Sequence, residues 1–262
     1  MAGEVSKPGA MALVGSGEYL PVMAETDRFL LQTLGGPARA KVVLIPTASG
    51  LEPGIPERWN NLGVGHFTSL GASVEPAMLV TREDASDPLI LKLLEEANFI
   101  YFSGGNPNYL IETLRDTPAW EIITRRHAQG AVLAGCSAGA MAFGGFTTNI
   151  RMMRQGLPPE WVPALGLLPG FITLPHFDRL SGFISQELFK MLLDTAPFEN
   201  GLVRALIGVD ENTALVRLPV QANATQSETG WQVFGHQTVS IFDHLGKAFI
   251  YRPGDRLSLR ER

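Results

Sequence analysis

The segment from Ala131 to Ala140 constrains the fold of this chain more than any other. It consists of an apolar run, the pattern Gly-x-Ser-x-Gly centred on Ser137, and then small residues. This order is typical of a buried strand that turns sharply into a helix and exposes a serine at the turn. The glycines two positions before and after the serine permit such a turn. The segment therefore predicts a nucleophilic serine, and the alternative is a tight strand-to-helix turn without chemistry, because short motifs also match by chance.

The same turn predicts where a negative charge would be stabilised. The backbone N–H of Ala138 would lie at the N-terminus of the following helix, where backbone donors favour an anion. Cys136 occupies the variable position before the serine. We therefore expect its side chain to point away from the site and to be buried as a small apolar group.

Composition excludes several classes of function. The formal net charge is −5 and no basic stripe occurs, so nucleic acid is not an expected partner. The single cysteine cannot form an internal disulfide, and it fits a cytoplasmic location. The sequence contains no cluster with metal-ligand spacing, and serine-based hydrolysis needs neither a metal nor an organic cofactor.

Two stretches bear on membrane targeting. Residues 1–10 include charged residues and a proline but no apolar core, so we expect a flexible start and not a signal peptide. Residues 128–150 carry no Asp, Glu, Lys or Arg and are long enough to suggest a membrane span. Glycine recurs through this second stretch, which favours a buried strand, a turn and a buried helix, and we expect no membrane association.

The rest of the chain alternates short apolar runs with helical periodicity, which predicts a single α/β domain over 1–262. We expect a three-layer sandwich, a mostly parallel sheet with helices on both faces, followed by C-terminal antiparallel strands. The predicted strands are 11–14, 41–45, 73–80, 99–102, 131–134, 172–174, 206–209, 213–218, 231–234, 239–242 and 248–251. The predicted helices are 23–34, 57–70, 87–96, 109–115, 120–129 and 182–193.

Four polar loops that contain glycine or proline follow predicted strands, at 15–18, 46–50, 103–106 and 135–139. In parallel sheets ligands bind beyond the carboxyl ends of the strands, so these loops together predict a site. Residues 151–170 are rich in proline and glycine, and we interpret them as a long loop over this site, a candidate lid.

A serine nucleophile needs a base, and the base needs an orienting carboxylate. His66 and His127 lie in helical patterns, so we expect a solvated or capping role for both. His176 directly follows a predicted strand, which suits a residue fixed at the mouth of a sheet.

Two carboxylates, Asp210 and Glu211, follow another predicted strand, and alternation directs them to opposite faces. The order Ser-acid-His of the α/β-hydrolases would select Asp210 with His236 or His244. The order Ser-His-acid would select His176 with Glu211. The residue types alone leave these two possibilities open, although the antiparallel setting of the last two histidines mildly favours His176.

Seven segments in sequence order carry a resemblance to a known family. They are Gly15-Ser16-Gly17-Glu18, Ile45-Pro46-Thr47-Ala48-Ser49, Phe102-Ser103-Gly104-Gly105-Asn106, Gly135-Cys136-Ser137-Ala138-Gly139-Ala140, Leu165-Gly166-Leu167-Leu168, His176-Phe177 and Ile207-Gly208-Val209-Asp210-Glu211-Asn212-Thr213-Ala214. In these segments the chain resembles the S51 serine peptidases, the family of dipeptidase E and cyanophycinase. The resemblance implies a class I glutamine amidotransferase-like fold.

The resemblance also implies site residues. It implies Ser137 as nucleophile, His176 as base and Glu211 as acid, with an oxyanion hole formed by the N–H groups of Gly105 and Ala138. Where cyanophycinases carry Asp-Gln and two arginines in an R-x-R pattern, this chain has Asn106-Pro107 and Arg179 alone. We therefore predict substrate recognition at Asn106 and Arg179, the arginine binding a substrate carboxylate in bidentate fashion.

The predicted function is that of a serine hydrolase that cleaves an amide bond in a small, acidic peptide or isopeptide. A homodimer is compatible with this prediction. Three alternatives stay open: an esterase of α/β-hydrolase type, a glutaminase, and a binding protein that kept the fold without turnover. A glutaminase of this fold uses cysteine at the centre of the turn, where this chain has Ser137.

Overall fold

The computed structural model describes residues 7–149, 155–180, 182, 184–198, 202–219 and 229–259. Its strands are β1 Met11–Val14, β2 Lys41–Ile45, β3 Ser73–Pro76, β4 Phe99–Phe102, β5 Val132–Cys136, β6 Phe146–Thr148, β7 Trp161–Pro163, β8 Phe171–Pro175, β9 Ala205–Val209, β10 Thr213–Arg217, β11 Thr229–Gly235, β12 Val239–Phe242, β13 Ala248–Tyr251 and β14 Arg256–Leu259. Its α-helices are α1 Ala24–Thr33, α2 Ile55–Ser69, α3 Pro88–Glu96, α4 Pro107–Leu114, α5 Pro118–Ala128, α6 Ala138–Ala142, α7 Phe177–Leu180 and α8 Gln186–Thr195.

An eight-stranded sheet with the order β14-β11-β10-β1-β5-β4-β2-β3 forms the centre of the molecule. Strands β1, β5, β4, β2 and β3 are parallel to their neighbours in this run, whereas β10, β11 and β14 extend the sheet in antiparallel fashion. Parallel pairing brings the carboxyl ends of β1, β2, β4 and β5 to one edge. The four loops singled out in the sequence therefore share that edge.

Strand periodicity explains why both faces of this sheet are covered. In β1, Met11 and Leu13 face one apolar cluster, while Ala12 and Val14 face the other. Helices α1 and α2 pack on the second face, and α3 to α6 pack on the first. Nearly continuous apolar strands such as Phe99–Phe102 follow from this burial on two sides.

A second sheet, with the order β13-β12-β9-β8, lies against the first of these clusters. Its other face packs on α8 through residues that include Leu174, Leu206 and Leu192. Within it β8 and β9 are parallel, with Pro175 opposite Val209. The residues that follow these two strands, His176 and Glu211, therefore emerge side by side.

The predicted fold class is confirmed, since the large sheet is mostly parallel with helices on both faces and the C-terminal strands are antiparallel. Strand β3 ends at Pro76, not at residue 80, because proline removes a backbone donor. The last predicted helix begins at Gln186 instead of 182, where the Ser185 side chain caps it by accepting from Leu188 N–H. Strands β6, β7 and β14 and the short α7 were not predicted.

The expected lid falls partly outside the described residues, since 151–154 belong to the undescribed part of the chain. Within 155–170, strand β7 pairs with β6, and a lid stays a prediction. Of the expected flexible start, residues 1–6 are likewise undescribed, whereas the Gly9 N–H donates to the His127 carbonyl at 3.0 Å. In the described part of the chain, no helix has the length and apolar character needed to cross a membrane.

Candidate active site

Ser137 occupies the turn between β5 and α6 in a strained backbone conformation. Its φ is +50° and its ψ is −107°, and its N–H donates to the Val14 carbonyl at 2.9 Å. A Cβ on Gly135 would lie 2.6 Å from the carbonyl carbon of Gly139, and one on Gly139 would lie 2.9 Å from Phe102 Cβ. Both glycines of the motif are therefore required for strand and helix to approach this closely.

His176 connects the serine to a carboxylate. The Ser137 hydroxyl lies 3.0 Å from His176 Nε2, and His176 Nδ1 lies 3.0 Å from Glu211 Oε1. A carboxylate at Nδ1 favours the tautomer that carries its proton there, so Nε2 is free to accept the serine proton. The arrangement has the order of a nucleophile, a base and an orienting acid.

The carboxylate of Glu211 is held on its other side as well. Arg179 Nη2 lies 3.0 Å from Glu211 Oε2, and Asp178 Oδ1 accepts the Glu211 N–H at 2.8 Å. Gln237 Nε2 donates to the Glu211 carbonyl at 3.1 Å. These contacts orient the acid toward His176 and fix the loop that carries it.

The loop after β4 lies directly beside the serine. A Cβ on Gly104 would lie 3.4 Å from Ser137 Cβ, and the Gly104 N–H donates to Glu18 Oε1 at 2.9 Å. That contact leaves the N–H of Gly105 as the donor this loop can offer to a ligand. Neither Gly105 N–H nor Ala138 N–H donates a hydrogen bond to another described residue, so both are available to an oxyanion.

Glu18 is the site residue that the sequence analysis did not assign a role. It follows β1, is only 6% exposed, and its Oε2 accepts from Cys136 Sγ at 2.9 Å. Its two oxygens therefore tie the β4 loop to the turn that carries Ser137. An acidic residue at the carboxyl end of a strand was the available signal, but nothing local showed that β1 neighbours β5.

A cavity of about 560 Å³ opens onto the serine, and its volume suits a small-molecule ligand. One part of its lining consists of the residues described above, namely Glu18, Gly104, Gly105, Ser137, His176 and Glu211. The rest comes from the loop before α1, the 49–52 turn and α2, namely Ser16, Gly17, Tyr19, Leu20, Ser49, Glu52, Ile55, Arg58, Trp59 and Leu62.

A sequence model of peptidase family S51 matches residues 11–223, which is most of the chain and includes every element of this site. The chain belongs to peptidase family S51. The resemblance read from the seven sequence segments is therefore confirmed at the level of the family.

Relatives of this S51 family member include enzymes and a solved structure. The cyanophycinase of Trichormus variabilis is 29% identical over 220 residues, which cover 79% of this chain and 65% of the relative. The cyanophycinase of Geminocystis herdmanii is 28% identical over 227 residues, covering 82% of this chain and 73% of the relative. The crystal structure of a peptidase from an acI-B1 Actinobacterium is 33% identical, has a TM-score of 0.83, and covers 99% of this chain and 100% of its own.

Cys136 is buried within the S51 fold, as the sequence predicted. Burial and the nearby Glu18 carboxylate both raise the pKa of this thiol well above its usual value, so it stays protonated at neutral pH. The thiol donates to Glu18 and lacks the thiolate form in which a cysteine is nucleophilic.

The expectation that His66 and His127 are solvated or capping residues is wrong. His66 is buried and its Nε2 lies 2.8 Å from Asp27 Oδ2. His127 is buried too, with Nδ1 at 2.8 Å from the Ala131 carbonyl. Helical periodicity gave no sign of these partners, because each comes from a different element or loop.

The alternative Ser-acid-His order receives no geometric support in this S51 chain. Asp210 Oδ2 accepts from the Thr238 N–H at 2.9 Å and from its hydroxyl at 2.6 Å, so this carboxylate anchors a neighbouring loop. His236 and His244 are exposed. The histidine that contacts Ser137 is His176.

The two residues predicted to bind substrate lie near the cavity but do not line it. The Asn106 side chain caps α4 by accepting from the N–H groups of Asn108 and Tyr109 at 3.0 and 3.2 Å. Arg179 is committed to Glu211. Their roles in recognition stay predictions.

Among the described residues, no cluster of three or more His, Cys, Asp or Glu is arranged to hold a metal.

Proposed function

We propose that this chain is a serine hydrolase that cleaves an amide bond in a small, acidic peptide or isopeptide. The observation that carries the proposal is the continuous chain of contacts from Ser137 through His176 to Glu211, each 3.0 Å long, in the lining of a cavity. The peptidases and cyanophycinases among the relatives support hydrolysis of a peptide or isopeptide. A cytoplasmic location and a homodimer stay predictions.

The geometry supports a two-step mechanism. His176 Nε2 accepts the Ser137 proton while Oγ attacks the carbonyl carbon, and the N–H groups of Gly105 and Ala138 stabilise the oxyanion. His176 then donates that proton to the leaving nitrogen, the C–N bond breaks, and an acyl-enzyme remains. Water attacks the acyl-enzyme with His176 again as base, which releases the acid and restores the serine. Glu211 stabilises the imidazolium that forms in both steps.

The first experiment is a mass-spectrometric screen of substrate cleavage. The wild-type protein and Ser137→Ala are each incubated with a library of dipeptides and short peptides that includes α- and β-linked aspartyl members. We expect cleavage by the wild type and a loss of at least about 10⁴-fold in Ser137→Ala, because the residual rate would come from binding and the oxyanion hole alone. Ser86→Ala is the matched control, since Ser86 is exposed on a 3₁₀ turn away from the cavity lining.

The same variants separate the competing mechanisms. Retained activity in Glu211→Ala together with lost activity in His236→Ala would contradict the proposed triad and favour an α/β-hydrolase arrangement. Cleavage that persists in Ser137→Ala would exclude the serine as nucleophile. Peptide binding by both the wild type and Ser137→Ala without any product would favour a binding protein.

A further inference from the structure

One wall of the catalytic cavity is a single face of α2. Ile55, Arg58, Trp59 and Leu62 all line the cavity, and they occur at positions i, i+3, i+4 and i+7 of the helix. Three of these side chains are apolar or aromatic, so Arg58 is the charged member of an otherwise apolar stripe. Trp59 also packs in part against the core beneath α2, whereas Leu62 is 44% exposed, so part of this stripe is open to a ligand.

Arg58 is also the permanent cation among the described residues that line this cavity. Three acidic residues line it too: Glu18 and Glu211 accept hydrogen bonds from protein groups, and Glu52 is not without a partner either. Arg58 forms no ion pair with another residue in the described part of the chain. Its guanidinium is therefore the charge in the cavity that remains to be matched by a ligand.

Arg179, the arginine that the sequence favoured for this role, is placed differently. It does not line the cavity, its side chain is 61% exposed, and it binds Glu211 Oε2 at 3.0 Å. Recruiting it for a substrate would remove a contact that orients the catalytic acid. The two arginines therefore differ in position: Arg179 contacts the acid of the proposed triad, whereas Arg58 lines the cavity.

We infer that Arg58 binds a carboxylate of the peptide substrate and selects acidic substrates for the proposed hydrolase. A guanidinium presents paired donors that match a carboxylate, and the exposed Arg58 side chain is accessible to a ligand that enters the cavity. The inference rests on the proposed function and names the residue responsible for its substrate class. The carboxylate comes from a side chain or from the free C-terminus of the peptide, and the experiment distinguishes these sources.

Four dipeptides that differ only in their carboxylates provide the test. Asp-Leu carries both carboxylates, Asn-Leu only the terminal one, Asp-Leu-amide only the side-chain one, and Asn-Leu-amide neither. We expect Arg58→Gln to lower kcat/KM about 10- to 100-fold, mainly through KM, for those peptides that carry the contacted group. Asp-Leu-amide responds if that group is the side chain, and Asn-Leu responds if it is the terminus.

Two further variants sharpen this result. Arg58→Lys keeps the charge but loses the paired donors, so we expect partial recovery of kcat/KM. Arg28→Gln, on the exposed face of α1, is the matched control and should behave as wild type toward all four peptides. Equal effects of Arg58→Gln on all four peptides, or no effect on any, would overturn the inference.

A binding measurement separates failure of this inference from failure of the proposed function. Calorimetric titration of Ser137→Ala and Ser137→Ala/Arg58→Gln with Asp-Leu and Asn-Leu-amide requires no turnover. We expect a 10- to 100-fold increase in Kd for Asp-Leu and none for Asn-Leu-amide. That increase in a chain whose wild type cleaves nothing would retain Arg58 as an anion-binding residue while rejecting hydrolysis. Unchanged Kd values, or no binding of Asp-Leu by Ser137→Ala, would reject the role of Arg58.

Discussion

Glu18 Oε1 accepts the backbone N–H of Gly104 at 2.9 Å, across 86 positions in the sequence. The other oxygen of the same carboxylate accepts from Cys136 Sγ, one residue before Ser137. One buried side chain thus links three loops at the carboxyl edge of the sheet. We interpret Glu18 as a positioning residue that fixes the Gly104-Gly105 turn against Ser137.

Removal of this carboxylate should therefore affect catalysis more than binding. Glu18→Ala leaves the Gly104 N–H without its acceptor, and we expect kcat to fall about 10- to 100-fold with little change in KM. Glu18→Gln retains an oxygen for that N–H and should recover much of the loss. Kinetics on a peptide found in the screen provide the measurement, with thermal unfolding in parallel. If Glu18→Ala lowered Tm but left kcat unchanged, the role of Glu18 would be purely structural.

Glu211 should be essential for rate but not for folding. Glu211→Gln preserves the shape of the side chain but cannot stabilise the His176 imidazolium, so we expect kcat to fall about 10³- to 10⁴-fold. The matched control is Asp194→Asn, which removes a surface carboxylate paired with Lys190 on α8 and should leave kcat unchanged. A kcat within tenfold of wild type for Glu211→Gln would contradict its assignment as the orienting acid.

Gly105 is a position where even one methyl group should matter. Its φ is +150°, and a Cβ there would lie 2.2 Å from the Ala48 carbonyl oxygen, so Gly105→Ala must shift the turn. We expect kcat to fall about 10²- to 10³-fold as an oxyanion donor is displaced. Gly65→Ala, at an exposed position of α2 with nothing within 4 Å of the new Cβ, is the control and should stabilise the fold slightly. Equal kcat for both variants would remove Gly105 from the oxyanion hole.

His127 should make stability depend on pH. Burial, and secondarily the adjacent Arg217, lower its pKa from 6.5 to about 4. The Arg217 guanidinium donates to Nε2, while Nδ1–H donates to the Ala131 carbonyl, so the folded state holds the neutral ring. The unfolded state takes up a proton below pH 6.5, and stability is therefore full above that value and falls as the pH drops toward 4.

The shift of the His127 pKa from 6.5 to about 4 corresponds to about 3 kcal/mol, most of which should be lost by pH 4. Urea unfolding of wild type and His127→Gln at pH 7, 5.5 and 4.5 measures this loss, and the variant should show the shallower dependence. His244→Gln, at an exposed histidine, is the control and should retain the wild-type slope. Identical slopes for wild type and His127→Gln would show that His127 is not the titrating group.

Several features could be predicted from the sequence because they depend on neighbouring residues. The strand, turn and helix around Ser137 follow from local apolar runs and paired glycines, and the structure places β5 and α6 there. The helix predicted at 87–96 is present as α3, and the side chain of Asp87 caps it by accepting from Leu89 N–H at 2.7 Å. Alternating elements likewise determined the α/β class and the parallel sheet.

The composition of the site was decided by contacts between distant residues. The sequence alone left two triads open, and the parallel pairing of β8 with β9 is what places His176 beside Glu211. Glu18 belongs to the site because β1 pairs with β5, and Arg58 belongs to it because α2 lies along the cavity. The physical reason is that local propensity and periodicity determine the helices and strands and their buried faces, whereas the hydrogen-bond partners of a side chain depend on how those helices and strands pack together.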